Sequence, residues 1–116
     1  MTNAEFLNKY FGTNYKQWMR CTYNVSKDTV VWMVNIDGSV AMGWSNVLLP
    51  DGKTIEERFV WDLSRQIPPH RHIDYNYRIV VDKSKNYKVL GFFKYDRENS
   101  DERTYRVWHK VKDVEL

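Results

Sequence analysis

Two β-rich runs close the chain, Tyr87-Lys-Val-Leu-Gly-Phe-Phe-Lys-Tyr95 and Tyr105-Arg-Val-Trp-His-Lys-Val111, on either side of a polar stretch from Asp96 to Thr104. Both are crowded with β-branched and aromatic side chains, and the polar stretch between them reads as the connection of a hairpin. In each run lysines and arginines sit between large rings. Sheets that touch nucleic acid show that pattern, and so do many that do not.

The rest of the chain supplies what this hairpin packs with. Thr2-x-x-Glu5 fits a capping box, and Met1 and Phe6 are spaced as a hydrophobic staple. Phe6, Leu7, Tyr10 and Phe11 then fall on one helical stripe, and Gly12 suits the left-handed position past its end. A second short helix is expected where Tyr15, Trp18, Met19 and Thr22 share helical spacing behind Asn14-x-x-Gln17. Strands follow. Asp28 to Ile36 is rich in β-formers, and Asp37-Gly38 predicts a hairpin to a partner strand from Val40 to Trp44. Pro50-Asp51-Gly52 marks a turn, Thr54 to Leu63 is a strand or a short helix, and Ser64 to Asp74, with Pro68 and Pro69, is a loop. Tyr75 to Val81 alternates as a strand, and Asp82 to Asn86 is a tight connection. The expected fold is α+β: one or two N-terminal helices and a curved, mainly antiparallel sheet of five or six strands, or a small β-barrel, in a single globular domain over residues 1–116.

Composition narrows the setting. A chain of 116 residues with 42% hydrophobic and 16% aromatic side chains can bury a core without metal or disulfides, and is not disordered. The rings exceed what such a core needs, so some belong on the surface. The lone Cys21 cannot form an internal disulfide, which points to a reducing, cytoplasmic setting. No apolar run is long enough for a membrane span, so no membrane partner is expected. The net charge of +3 is unevenly spread. Residues 1–74 carry eight basic and eight acidic side chains, residues 75–116 ten and seven, so the excess lies in the last third, as on a surface for polyanions.

Strand alternation sorts the closing hairpin into faces. Tyr87, Val89, Gly91, Phe93 and Tyr95 would share one, with Lys88, Leu90, Phe92 and Lys94 on the other. In the last run Arg106, Trp108, Lys110 and Lys112 oppose Tyr105, Val107, His109 and Val111. One face of each strand thus mixes cations with a large ring, suited to phosphates and a base. Equally, Phe92 and Trp108 can be core with the cations at its rim. Lys-Val-Leu-Gly-Phe-Phe-Lys-Tyr followed by Tyr-Arg-Val-Trp-His-Lys-Val resembles the closing strands of PUA-like domains, especially the SRA-type modified-base readers of restriction systems. B3-like DNA-recognition domains are similar. The resemblance covers the last third and implies a curved β-barrel that reads DNA, by a flipped base in one form. It carries over no pocket residues.

Two other segments carry possible chemistry. In Pro68-Pro-His-Arg-His-Ile-Asp-Tyr75, His70 and His72 can point to one side and share a metal with His109 or Asp74, while Arg71 suits a phosphate better. In Met42-Gly-Trp-Ser-Asn-Val47, Trp44 with Ser45 and Asn46 can form a pocket edge of ring and hydrogen-bonding groups; a tryptophan buried at a strand end is the plainer reading. Trp32 and Trp61 read as core. Glu56, Glu57 and Asp62 read as balanced by Arg58 and Arg65, no serine sits in an elbow motif, and no Gly-rich loop cradles phosphate.

The leading expectation is therefore a nucleic-acid-binding module, for duplex DNA. Trp44, Tyr77, Phe92 and Trp108 are its ring candidates, and Arg71, Arg78, Lys88, Lys94, Arg106 and Lys110 its phosphate candidates. It requires no cofactor, catalytic residue or metal. Two alternatives stand beside it: a small inhibitor or adaptor that binds a protein of a phage or defence system, and a metal-dependent enzyme using His70, His72 and His109.

Overall fold

Thr2 starts a helix as its spacing predicts. In the computed structural model, which describes residues 1–16, 22–26, 29–62, 76–101 and 103–116, helix α1 spans Asn3–Phe11. The Thr2 hydroxyl accepts the Glu5 backbone N–H at 3.1 Å, and Gly12 closes the helix in the left-handed region at φ 64°. Met1 stays 61% exposed, and Phe6 takes Tyr10 and Tyr87 as its ring neighbours, at 4.7 and 5.5 Å. The second expected helix falls on residues 17–21, outside the described residues, and Thr22 itself belongs to a strand. The loop expected from Ser64 to Asp74 also lies outside them. No helix among the described residues is long and apolar enough to cross a membrane.

The strands are β1 (Thr22–Asn24), β2 (Val30–Val34), β3 (Asp37–Ala41), β4 (Trp44–Leu48), β5 (Thr54–Phe59), β6 (Tyr77–Asp82), β7 (Lys88–Tyr95) and β8 (Tyr105–Lys112). They form one sheet in the order β1-β2-β6-β7-β8-β5-β4-β3, antiparallel throughout except for the parallel pair β2 and β6. The α+β class and the mainly antiparallel sheet hold. The sheet has eight strands where five or six are expected, and it is open, with β1 and β3 at its edges. Its first strand is short, and one expected hairpin is in fact two strands and a central one.

That hairpin is the clearest correction. Asp37-Gly38 does not reverse the chain. Asp37 folds its carboxylate onto Ser39, accepting the backbone N–H at 3.0 Å and the hydroxyl at 2.7 Å. Gly38, at φ 87°, then sits in a bulge where the pairing of β3 with β4 shifts between Asp37 and Val40. The reversal comes five residues later, at Met42-Gly43. Both have positive φ, 52° and 87°, as a two-residue turn matched to strand twist requires, and Ala41 faces Trp44 across it. β2 pairs instead with β1 and β6. Each of its five residues is buried, as expected of a strand covered on both faces.

The two faces of the sheet have separate cores. On the helix side, Phe6 and Leu7 pack with Tyr23, Val31, Met33, Ile79 and Val81. On the opposite side Trp32, Val34, Ile36, Ile55, Val80, Phe93, Tyr95 and Trp108 pack together. Simple alternation fails in β7. Val80 faces Gly91 but Val81 faces Val89, so Leu90 is bulged out of the ladder. Past this bulge the faces exchange: Tyr87, Val89 and Phe92 go to the helix side, Leu90, Phe93 and Tyr95 to the other. Gly91 permits this at φ 139°, and a Cβ there would lie 2.7 Å from both the Lys112 carbonyl and Lys110 Cε. Gly91→Ala is therefore expected to destabilise the chain by about 1–3 kcal/mol through backbone strain. In urea the midpoint should fall with an unchanged slope, and an unchanged midpoint would refute the role of the bulge.

Candidate functional site

The face away from α1 is apolar at its centre and polar toward β4. Trp44, Asn46 and Leu48 of β4 lie opposite Phe59, Glu57 and Ile55 of β5, and Glu57 and Ile55 lie opposite Arg106 and Trp108 of β8. Alternation therefore places all of these on one face. The middle row, Asn46–Glu57–Arg106, runs polar across three strands between two apolar rows. It is also buried: Asn46 is 9% and Glu57 6% exposed.

A carboxyl in such a place needs partners. Glu57 Oε1 accepts the Trp108 indole N–H at 2.8 Å. Burial pushes the Glu57 carboxyl above the ordinary carboxylate range, opposed by the Arg106 charge, the Trp108 N–H and the Arg78 charge. The Arg106 guanidinium lies 4.3 Å from the centre of the Trp44 ring, and that of Arg78 lies 4.6 Å from Trp108 and 5.6 Å from Trp32. Tyr95 and Trp32 close on Trp108 at 4.9 and 5.6 Å. The Oδ1 atom of Asn46, in contrast, is buried with no hydrogen-bond donor among the described residues. A buried acceptor left this way costs about 1–3 kcal/mol, which a ligand with a donor would recover.

The turn before Trp44 forms the rim. Val60 N–H donates to the Gly43 carbonyl at 2.8 Å, tying the turn to the end of β5. Gly43 is packed so closely that a Cβ would lie 2.5 Å from Phe59 and 2.9 Å from Trp61. Phe59 meets Trp44 and Trp61 edge-on at 5.5 and 6.3 Å. Beside these rings Met42 and Trp61 remain 80% and 40% exposed. A carboxyl, an amide and a half-buried ring on one rigid face suit a planar heterocycle that carries hydrogen-bond donors and acceptors on its edge.

The residues expected from the sequence to form one surface divide between two. Trp44, Arg78, Arg106, Trp108 and Lys110 are on the face just described, where Trp108 is fully buried core and not a surface ring. Phe92 and Lys94 are on the helix side because of the β7 bulge, and Tyr77 joins them there by alternation with Ile79 in β6. Lys88 is exposed at the start of β7, across from Asp82, and Lys110 pairs with Asp113. Arg71, His70 and His72 lie outside the described residues. His109 Nε2 bonds to Asp96 at 2.8 Å; hydrogen bonds from Asn99 and then from His109 hold that carboxyl down to about 2. Among the described residues no group of three or more His, Cys, Asp or Glu is placed to hold a metal ion.

Glu57 is the residue that sequence reasoning misses. Its neighbour Glu56 is balanced by Arg58 at 2.6 Å as expected, but Glu57 points the other way, into the core. The signal was present in Ile55, Glu57 and Phe59, where a charge interrupts an alternating apolar set. It is legible only if 54–59 is read as a strand.

The model of the SET and RING associated domain family matches residues 1–115. Among solved structures the chain is similar to the 5-hydroxymethylcytosine-specific restriction enzyme AbaSI, with a TM-score of 0.65 at 23% identity. That match covers 97% of this chain and 37% of AbaSI, so the chain spans well under half of that enzyme's length. At this identity the likeness is one of fold. No curated protein matches.

Proposed function

The chain belongs to the SET and RING associated domain family, and on that premise we propose that it binds duplex DNA and reads a modified cytosine turned out of the stack onto the Trp44–Asn46–Glu57 face. The observation that carries this reading is the buried polar row with an acceptor, Asn46 Oδ1, that has no donor among the described residues. A flipped base is held by stacking and by hydrogen bonds to its Watson–Crick edge. Cytosine presents an amino donor there, which Asn46 Oδ1 or the Glu57 carboxylate can accept, and Trp44 supplies a ring. Arg106 and Arg78 flank the site as positive charges for phosphates. The specificity named for AbaSI supports a modified cytosine over other bases.

The test is equilibrium binding to duplexes that differ only in one central cytosine, unmodified, 5-methylated or 5-hydroxymethylated, over a series of salt concentrations. One modified duplex should bind best, and log K should fall linearly with log salt as counterions are released. Trp44→Ala and Asn46→Ala should each erase about 1–3 kcal/mol of that preference while leaving the salt slope near that of the wild type. Equal affinity for all three duplexes, or binding indifferent to salt, would sink the proposal.

A further inference from the structure

The helix side of the sheet carries a second basic, aromatic surface beyond the part covered by α1. Tyr77 and Phe92 stack there in parallel, 5.4 Å apart with planes 10° from one another. Lys94 Nζ lies 5.9 Å from the centre of Tyr77 and Lys112 Nζ 5.4 Å from that of Phe92. Strand register fixes the set, since Tyr77 pairs with Lys94 and Phe92 with Lys112. On β5 and β8, Arg58 and Lys110 are paired with carboxylates, those of Glu56 and Asp113. Lys94 and Lys112 rest on rings, and among the described residues no carboxylate forms an ion pair with either. Tyr77 is 41% exposed, which leaves the platform open.

We propose that this surface binds the sugar–phosphate backbone of a second DNA duplex, so that one chain bridges two duplexes. The inference rests on the reading of the chain as a DNA-binding module. Positive charge on a flat aromatic platform complements a polyanion without demanding a sequence. The platform lies on the opposite face of the sheet from Trp44, Asn46 and Glu57, so the duplex segment at that site does not reach it. For the same duplex to touch both faces it would have to wrap a body whose shorter extents are 29 and 27 Å. A duplex is stiff over such a length, and bending it that sharply is costly. A separate duplex avoids that cost.

The experiment is a bridging capture. A biotinylated unmodified duplex is immobilised, and a fluorescent duplex with the preferred modified cytosine is retained through the protein, whose state is followed by sedimentation in the same buffer. Wild type should retain the fluorescent duplex as a monomer. Lys94→Gln/Lys112→Gln, checked for an unchanged Tm, should retain roughly tenfold less and lose about 1.8 from the salt slope for the unmodified duplex, two phosphate contacts at about 0.9 each. The double variant should keep the preference for modified cytosine. Bridging as strong in the double variant as in wild type overturns the inference, as does wild type that binds the modified duplex without bridging, or bridging confined to dimers. The two readings fail separately: Glu57→Gln should lose the preference for modified cytosine and still bind unmodified duplex on the Lys94–Lys112 surface.

Discussion

Replacing Trp108 with alanine should destabilise this chain more than any other change considered, by about 3–5 kcal/mol from lost burial and the cavity left behind. Trp108 is fully buried between Trp32 and Tyr95, with the Arg78 guanidinium over its ring. The same change removes the indole N–H from Glu57, and a buried carboxyl deprived of a donor costs about 1–3 kcal/mol more. Against a typical domain stability of about 5–15 kcal/mol, the variant should be largely unfolded near body temperature. Trp108→Phe separates the two causes. It keeps a six-membered ring but loses the N–H and the atoms of the five-membered ring, so its cost should lie between the hydrogen-bond figure and that of alanine. Urea unfolding of both variants decides it. A loss below about 1 kcal/mol for Trp108→Ala would mean that the core on this face does not depend on the ring.

How much of this was legible before folding follows from which residues report local structure and which report distant ones. The start of α1 was readable because Thr2 and Glu5 satisfy a rule local to one turn. The turn at Asp51 was readable for the same reason, its carboxylate accepting from Lys53 and Thr54. Asp37-Gly38 was misread because the dipeptide specifies only a positive φ at Gly38, which serves a bulge as well as a hairpin. Nothing local says that β2 pairs in parallel with β6, some fifty residues away along the chain, although its unbroken apolar run hinted that both its faces are covered.

The site divides along the same line. The Met42–Val47 segment points to Trp44 and alternation in the last run to Arg106, and the fold does bring them together, because β4 and β8 each pair with β5. Alternation carried straight through Gly91 keeps Phe92 and Lys94 on one face with Lys88 and Leu90, and the bulge breaks that set. A glycine in a long strand is a common place for a bulge, and that one residue moved half of the proposed interface to the other side of the sheet.

Glu57→Gln should have the second largest effect, on recognition, and it should act oppositely on binding and stability. Glutamine keeps the shape of the side chain and an oxygen for the Trp108 N–H, but it puts an amide donor where the carboxylate offered a second acceptor. Facing a cytosine amino group, that exchange should cost about 1–3 kcal/mol of preference for the modified base, roughly a 5- to 150-fold loss. The wild-type preference should also fade as pH drops below the raised pKa of Glu57 and the carboxyl protonates, while the variant's residual preference should not change with pH. Stability runs the other way. A folded-state pKa raised above the ordinary 4.5 means that the native state holds the proton more tightly than the unfolded chain. The stability linked to Glu57 is therefore full below 4.5 and declines as pH rises through the folded value, so wild type should lose stability relative to Glu57→Gln as pH is raised from 4.5. Asp96, held down to about 2 against an ordinary 3.8, contributes in the opposite sense, with stability present above 3.8 and lost as pH falls toward 2. Unfolding of wild type and Glu57→Gln from pH 2 to 8, alongside binding from pH 4 to 8, resolves the two groups. A pH-independent stability difference between the two proteins would show that Glu57 is not a buried titrating carboxyl. A variant with undiminished base preference would remove Glu57 from the site. If both effects appear, the ionised carboxylate that reads the base is the same group that weakens the fold, and the Arg106, Trp108 and Arg78 contacts are what make its burial tolerable.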